Sequence, residues 1–290
     1  MRSVIFATHA TLFFLYSLFL SNLATAAGCE QQDSYYPQAV ELSSKQDHLA
    51  AKQQLEKSVA ICSVYNNWYL YGRTLQQLEQ YDQALSAYEK AKTLADSDNQ
   101  KAIAIARYAE VLSLTGKKYE ALSLLQAAKK MHASPRQWMI DLMFKLDKEL
   151  AGKPMTKELV TRSLGSHQFG MLSADSKPAV NLRINFEFDS TAVDHTSEQN
   201  LEALAAALTE GSYGDKHFRL IGHTDTRGEG RYNDKLSKQR AVAVQAYLET
   251  IRPELKGRMY TEGAGKSKPL YKGNSEEEHR LNRRLEVVIE

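Results

Sequence analysis

The sequence predicts two domains, an all-α solenoid of helical repeats followed by an α/β domain with a mixed sheet and helices on one face. Three observations carry that reading: small and aromatic residues recur at fixed spacing in the first half, strand-period and helix-period segments alternate in the second, and a Gly/Ser-rich stretch from Gly165 separates them. The 290 residues are enough for two separate cores. Composition is ordinary, with 25% charged residues, 43% hydrophobic residues and a formal net charge of +2, so bulk charge gives no argument for nucleic acid.

"MRSVIFATHATLFFLYSLFLSNLATAA" opens the chain with one cation at Arg2, an apolar run to about Leu20, and small residues that fit an A-x-A cleavage site at Ala24 and Ala26. This is the pattern of a secretory signal peptide over residues 1–26. The apolar run approaches the length of a membrane anchor, and the small residues at its end favour cleavage. Export places the two cysteines, Cys29 and Cys62, where a disulfide persists. The competing reading takes "AAGC" as a lipoprotein signal with Cys29 acylated. Ala26 stands where that signal prefers Leu, and acylation would leave Cys62 unpaired, so the Cys29–Cys62 bridge is expected.

Residues 65–96 read "VYNNWYLYGRTLQQLEQYDQALSAYEKAKTLA", placing Trp68, Gly72, Tyr81, Ala84, Tyr88 and Ala91 at the offsets of a tetratricopeptide repeat, which this segment resembles. A weaker copy upstream uses Tyr35, Leu42, Ala51 and Leu55, with Ala51 and Ala84 one repeat length of 33 positions apart. Another downstream uses Ala109, Gly116, Ala121, Leu125 and Ala128. Small residues let paired helices approach and the aromatics fill the gaps, so these side chains are expected in the core. "SPRQWMIDLMFKLDKEL" reads as a closing helix with Trp138, Leu142 and Leu146 on one face. The repeats are therefore expected over 27–150, with a short helix and linker over 151–179. Their resemblance implies a groove for a protein partner that no residue identifies.

Residues 180–290 form the second domain. "NLRINFEFD" alternates as a strand with Leu182, Ile184, Phe186 and Phe188 inward. "TSEQNLEALAAALTEG" follows as a helix capped by Thr196 or Ser197, with a Leu201, Leu204 and Leu208 stripe and a stop at Gly211. "HFRLIGH" is the next strand, "NDKLSKQRAVAVQAYLETI" a helix, "RMYTEG" a strand, and "RLEVVIE" the last strand, with Leu285, Val287 and Ile289 inward.

Arg240 stands out on its helix. At about 100° per residue, Ala243, Tyr247, Arg240, Ile251 and Val244 share roughly a 100° arc, opposite the Lys238, Gln245 and Glu249 face. A guanidinium in the buried arc needs an anionic neighbour. Asp225, directly after the preceding strand, reaches the same sheet edge. Two readings stay open: a self-sufficient Asp225–Arg240 salt bridge, or a clamp for a zwitterion whose ammonium meets the carboxylate and whose carboxylate meets the guanidinium.

"INFEFDS", "GHTDTRG" followed by "NDKLSKQRA", and "NRRLEVVI" together resemble the OmpA-like C-terminal domain of outer-membrane anchors, peptidoglycan-associated lipoproteins and flagellar stator proteins. That resemblance covers about 180–290. It implies noncovalent binding of peptidoglycan through the diaminopimelate of its stem peptide, with Asp225 on the ammonium, Arg240 on a carboxylate, Asn233 and Arg283 lining the pocket, and Thr191 supplying a polar contact. Arg227 departs from the family pattern, either adding a second cation or pointing outward. "GKSKPLYKGNSEEEHR" is expected to contribute nothing beyond a loop contact. The implied setting is the periplasm, or the periplasmic side of the outer membrane of a Gram-negative bacterium, with peripheral membrane association.

His223 and Asp225 lack a third ligand at useful spacing, so no metal site or cofactor is expected, and His223 is read as a structural histidine. No Ser/His/Asp set or acid pair emerges, and no catalysis is expected. The alternative function is an interaction or assembly factor built on the repeats, whose C-terminal domain does not bind cell wall.

Overall fold

The computed structural model describes residues 28–30, 33–132, 134–165, 179–182, 184, 191, 193, 195–210 and 213–290. The expected signal peptide, Phe186 and Phe188 of the first predicted strand, and the Gly211 helix stop lie outside these residues. The chain divides into two compact units, one ending at Val111 and one beginning at Leu112.

The first unit contains helices α1 (Tyr35–Ser44), α2 (His48–Ile61), α3 (Tyr65–Gln77) and α4 (Tyr81–Thr93), followed by α5 (Asp98–Leu114). α1 packs on α2 and α3 on α4, each pair joined by a tight turn through a left-handed residue, Gln46 or Glu79. Gly72 explains the close approach of α3 and α4, because a Cβ there would stand 2.8 Å from the Tyr88 ring. Tyr88 is fully buried and donates to Gln76 Oε1 at 2.8 Å, while Trp68 and Tyr81 pack partly buried against the same cluster. Cys29 and Cys62 form a disulfide. Beside it, buried Asp33 accepts from Ser58 Oγ at 2.6 Å and from Asn67 Nδ2 at 2.8 Å.

The second unit holds α6 (Lys118–Met131), α7 (Gln137–Glu149), α8 (Lys157–Gly165), β1 (Ala179–Leu182), α9 (His195–Thr209), β2 (Phe218–His223), α10 (Gly230–Ile251), β3 (Met259–Gly263), α11 (Glu276–Asn282) and β4 (Arg284–Ile289). The sheet runs β1-β4-β2-β3 and is mixed, with β2–β3 parallel and the β1–β4 and β2–β4 pairs antiparallel. Val180, Leu182, Phe218, Leu220, Leu285 and Val287 pack against the Leu201, Leu204 and Leu208 stripe of α9 and against Ala241, Val244 and Leu248 of α10.

Three expectations shift. The composition places a boundary between about 151 and 180, yet the compact division falls at 111/112. The cause is that α6 and α8 pack within the sheet unit: Val160 and Leu164 of α8 join the sheet core, and Ser123 Oγ donates to Ser163 O. Helices also occupy both faces of the sheet. Every residue of β4 is buried, and Glu286, on the face opposite Leu285 and Val287, pairs with Lys130 of α6. A strand buried on both sides needs partners for its polar residues; Lys130 and His223 supply them for Glu286, and on the neighbouring β1 Asn181 Nδ2 donates to Gln126 Oε1 of α6 at 2.7 Å. Finally, α7 buries Met139, Met143 and Leu146 rather than a Trp138–Leu142 face. Both stripes are apolar at helical spacing, so periodicity alone did not distinguish them.

Candidate functional site

β2 carries the chain to one end of the sheet and delivers Asp225 there. Thr224 N donates to Gly265 O at 2.9 Å, and the loop turns through Gly228 at φ 76° into α10. Asn233, buried on the first turns of α10, donates through Nδ2 to Arg227 O at 2.7 Å and Glu229 O at 2.9 Å. Asn233 therefore holds the loop's shape from behind. Lys266 Nζ pins the same loop by donating to Gly228 O at 2.7 Å.

Gly222 and Gly263 are cross-strand partners in the β2–β3 pair, and α10 lies directly over them. A Cβ on Gly222 would fall 2.1 Å from Ser237 O, and one on Gly263 2.7 Å from Asp234 O and Lys238 N. Side chains at these positions would lift the helix away from the strands. Their absence keeps the Asp234–Lys238 turn of α10 against the ends of β2 and β3.

Asp225 accepts four hydrogen bonds from two guanidinium residues. Its Oδ1 takes Arg227 N at 3.0 Å and Arg227 Nε at 3.4 Å, and its Oδ2 takes Arg227 Nη2 and Arg283 Nη1, each at 2.8 Å. Burial pushes this carboxyl upward in pKa, but the bonds from Arg227 and Arg283 outweigh it and hold it down at about 2. The carboxylate therefore stays ionised throughout the neutral range. Arg227 reaches across to Glu276, donating through Nη1 to Oε2 at 2.9 Å, and Arg283 lies 3.7 Å from Glu276 Oε1. The result is an alternating cluster of two carboxylates and two guanidiniums, graded from the half-buried Asp225–Arg283 pair outward to Arg227 and Glu276.

Arg240 is buried on α10, as its position in the apolar arc predicts. Of the two readings left open, the Asp225–Arg240 salt bridge is not among the ion pairs of the described residues: the partners of Asp225 there are Arg227 and Arg283, and Arg240 has an interaction of its own. Sequence spacing brought the two residues to one sheet edge without showing that nearer cations claim the carboxylate. Thr191 is exposed. Lys238 is exposed, as expected, and it donates to Thr261 Oγ1 at 2.8 Å, tying α10 to β3.

Sequence reading missed Glu276, because residues 265–280 read as loop. Helix α11 carries it, and the helix has a sequence signal: Ser275 and Glu278 form a capping box, with Glu278 N donating to Ser275 Oγ at 3.2 Å and Ser275 N to Glu278 Oε2 at 3.0 Å. The acidic first turn of α11 places Glu276 opposite Arg227.

His223 is buried, and its Nε2 lies 3.1 Å from Glu286 Oε2. Burial lowers the pKa of the imidazole, with the Glu286 hydrogen bond opposing, so the ring is neutral near pH 7 and acts structurally. Among the described residues no three His, Cys, Asp or Glu side chains converge to hold a metal. No helix of the described residues is long and apolar enough to cross a membrane.

The OmpA family matches residues 185–283, a span that takes in Asp225, Arg227, Asn233, Arg240, Glu276 and Arg283. The chain is 33% identical over 111 residues to outer membrane porin F of Pseudomonas aeruginosa, covering 38% of this chain and 31% of that protein. It is 34% identical over 107 residues to the peptidoglycan-associated lipoprotein of Buchnera aphidicola, covering 37% and 60%. Against the peptidoglycan-associated lipoprotein of Pseudomonas aeruginosa it is 32% identical over 118 residues, covering 41% and 68%. The match spans between 12% and 60% of the first relatives' own lengths. A solved peptidoglycan-associated lipoprotein from Burkholderia pseudomallei aligns over 37% of this chain and 88% of its own at 32% identity, with a TM-score of 0.34.

Proposed function

The chain belongs to the OmpA family, and from that premise we propose that residues 180–290 bind peptidoglycan noncovalently, through the diaminopimelate of its stem peptide. The observation that carries this reading is the ionised Asp225 carboxylate held between Arg227 and Arg283 at the end of the sheet. The four bonds on Asp225 fill its lone-pair sites, so a ligand ammonium reaches the carboxylate by replacing the exposed Arg227 side chain there, and Arg240 takes a ligand carboxylate bidentately. Arg283, Asn233 and Thr191 complete the pocket. Arg227 joins them: its pair with Glu276 is exposed on both sides, such pairs contribute little to stability, and a ligand carboxylate can displace Glu276 at low cost.

Binding of this kind needs no bond-making, and the domain acts as a tether. The names of the lipoprotein relatives support a place in the envelope of a Gram-negative bacterium, in the periplasm or on the periplasmic side of the outer membrane, after removal of residues 1–26. The helices of the unit that ends at Val111, read as tetratricopeptide repeats, offer a surface to a protein partner.

Calorimetric titration with free meso-diaminopimelate tests the site. Saturable binding is expected, with L-lysine, which lacks the second carboxylate and amino-acid centre, at least about tenfold weaker. Equal affinity for the two ligands would contradict recognition by paired charges. Release of soluble fragments from purified murein would overturn the non-enzymatic reading.

A further inference from the structure

On the face of the sheet opposite α9 and α10 lies a cavity of about 410 Å³, within the size range of small-molecule sites. It is lined by Lys129 and Lys130 of α6, Ile221 and His223 of β2, Arg284 and Glu286 of β4, and the Lys268–Leu270 segment. Its charges do not balance. Glu286 is matched by Lys130, and His223 is neutral. Arg284, which is 6% exposed, donates only to neutral acceptors: Nε to Asn181 Oδ1 at 2.9 Å, Nη1 to Asn282 O at 3.2 Å, and Nη2 to Lys268 O at 3.2 Å. Lys129 donates to the carbonyls of Pro269 and Leu270.

Among the described residues neither cation has a carboxylate within salt-bridge distance, although Glu286 and Asp147 act on Arg284 from further off. Burial, with Arg284 and Lys272 nearby, lowers the pKa of Lys129 to about 8, the direction expected where positive charge lacks a counterion. Donors also remain. A guanidinium has five N–H groups and an ammonium three, so Arg284 keeps two and Lys129 one beyond the bonds just named.

We propose that this cavity is an anion-binding site distinct from the Asp225 cluster, and that it takes a phosphate monoester. Arg284 and Lys129, the lining cations turned away from solvent, match a dianion, with the exposed Lys268 at the edge; the planar Arg284 fork and the Lys129 point charge suit phosphate oxygens, and Ile221, Pro269 and Leu270 accept a small apolar body beside it. Sources of such a group are a soluble phosphomonoester or a lipid headgroup.

The test uses the whole chain and two probes, phenyl phosphate in solution and vesicles of phosphatidylcholine with or without phosphatidic acid. Titration followed by amide chemical shifts is expected to move residues around Lys129, Ile221 and Leu270, and Lys129→Met is expected to weaken phenyl phosphate at least about tenfold. Vesicle flotation that requires phosphatidic acid and is lost in Lys129→Met would assign the site to a lipid phosphate; saturable phenyl phosphate binding without flotation assigns it to a soluble ligand. Lys129→Arg, which keeps the charge, should retain most of the binding, and this distinguishes a lost anion contact from a damaged fold. Shifts confined to the Arg227–Arg283 cluster, or unchanged binding in Lys129→Met, would overturn the proposal.

Discussion

Replacing Gly222 with alanine is expected to destabilise the C-terminal unit by about 3 kcal/mol or more, at the upper end of overpacking effects. The added methyl would stand 2.1 Å from the backbone oxygen of Ser237. A backbone atom inside a helix cannot swing aside as a side chain would, so α10 must move as a body. Ser237 is fully buried and its Oγ accepts from Gly265 N at 2.9 Å, so that movement also breaks a buried contact. At about 2–4 °C per kcal/mol for a unit of this size, the thermal midpoint should fall by roughly 6–12 °C. Gly230→Ala is the control, because nothing lies within 4 Å of a Cβ there, and its effect should stay within about 1 kcal/mol. Equal midpoints for Gly222→Ala and the wild type would show that α10 does not rest on the paired glycines.

Removing the disulfide by a Cys29→Ser, Cys62→Ala double substitution is expected to cost the first unit about 3–4 kcal/mol on the loop-entropy account, for a bridge spanning a sequence separation of 33. Cys62 is fully buried at the end of α2, and its carbonyl accepts from Asn67 Nδ2 at 2.9 Å, joining the bridge to the Asp33–Ser58–Asn67 network. Releasing the Cys29 segment frees Asp33 from one side of that network. Denaturant unfolding with and without dithiothreitol checks this: reductant should lower the wild-type midpoint to that of the double variant and leave the variant unchanged. A wild type indifferent to reductant would show that the bridge adds no stability.

How much of this was legible in the sequence varies by element. The strands around Leu220 and Val287 and the helices around Leu204 and Val244 followed from apolar periods, because one face of each meets a single core. The burial of Arg240 followed from the same arithmetic. Helix α11 was missed because seven residues carry too little periodicity to register, and only its capping box marks it. The pairing of Arg227 with Glu276 joins residues 49 positions apart across two loops, a distance over which spacing rules have nothing to say. The second helical face of the sheet was hidden for a related reason. β4 reads as an alternating strand, and its buried polar side appears only in the structure, in contacts such as Lys130–Glu286 and His223–Glu286.

The central claim is that the sheet-end cluster holds the chain to the cell wall, and cosedimentation with purified sacculi tests it most directly. Wild-type protein is expected to pellet, while Asp225→Ala and Arg240→Ala remain in the supernatant with unchanged circular dichroism. Equal pelleting by all three folded proteins would contradict the assigned site.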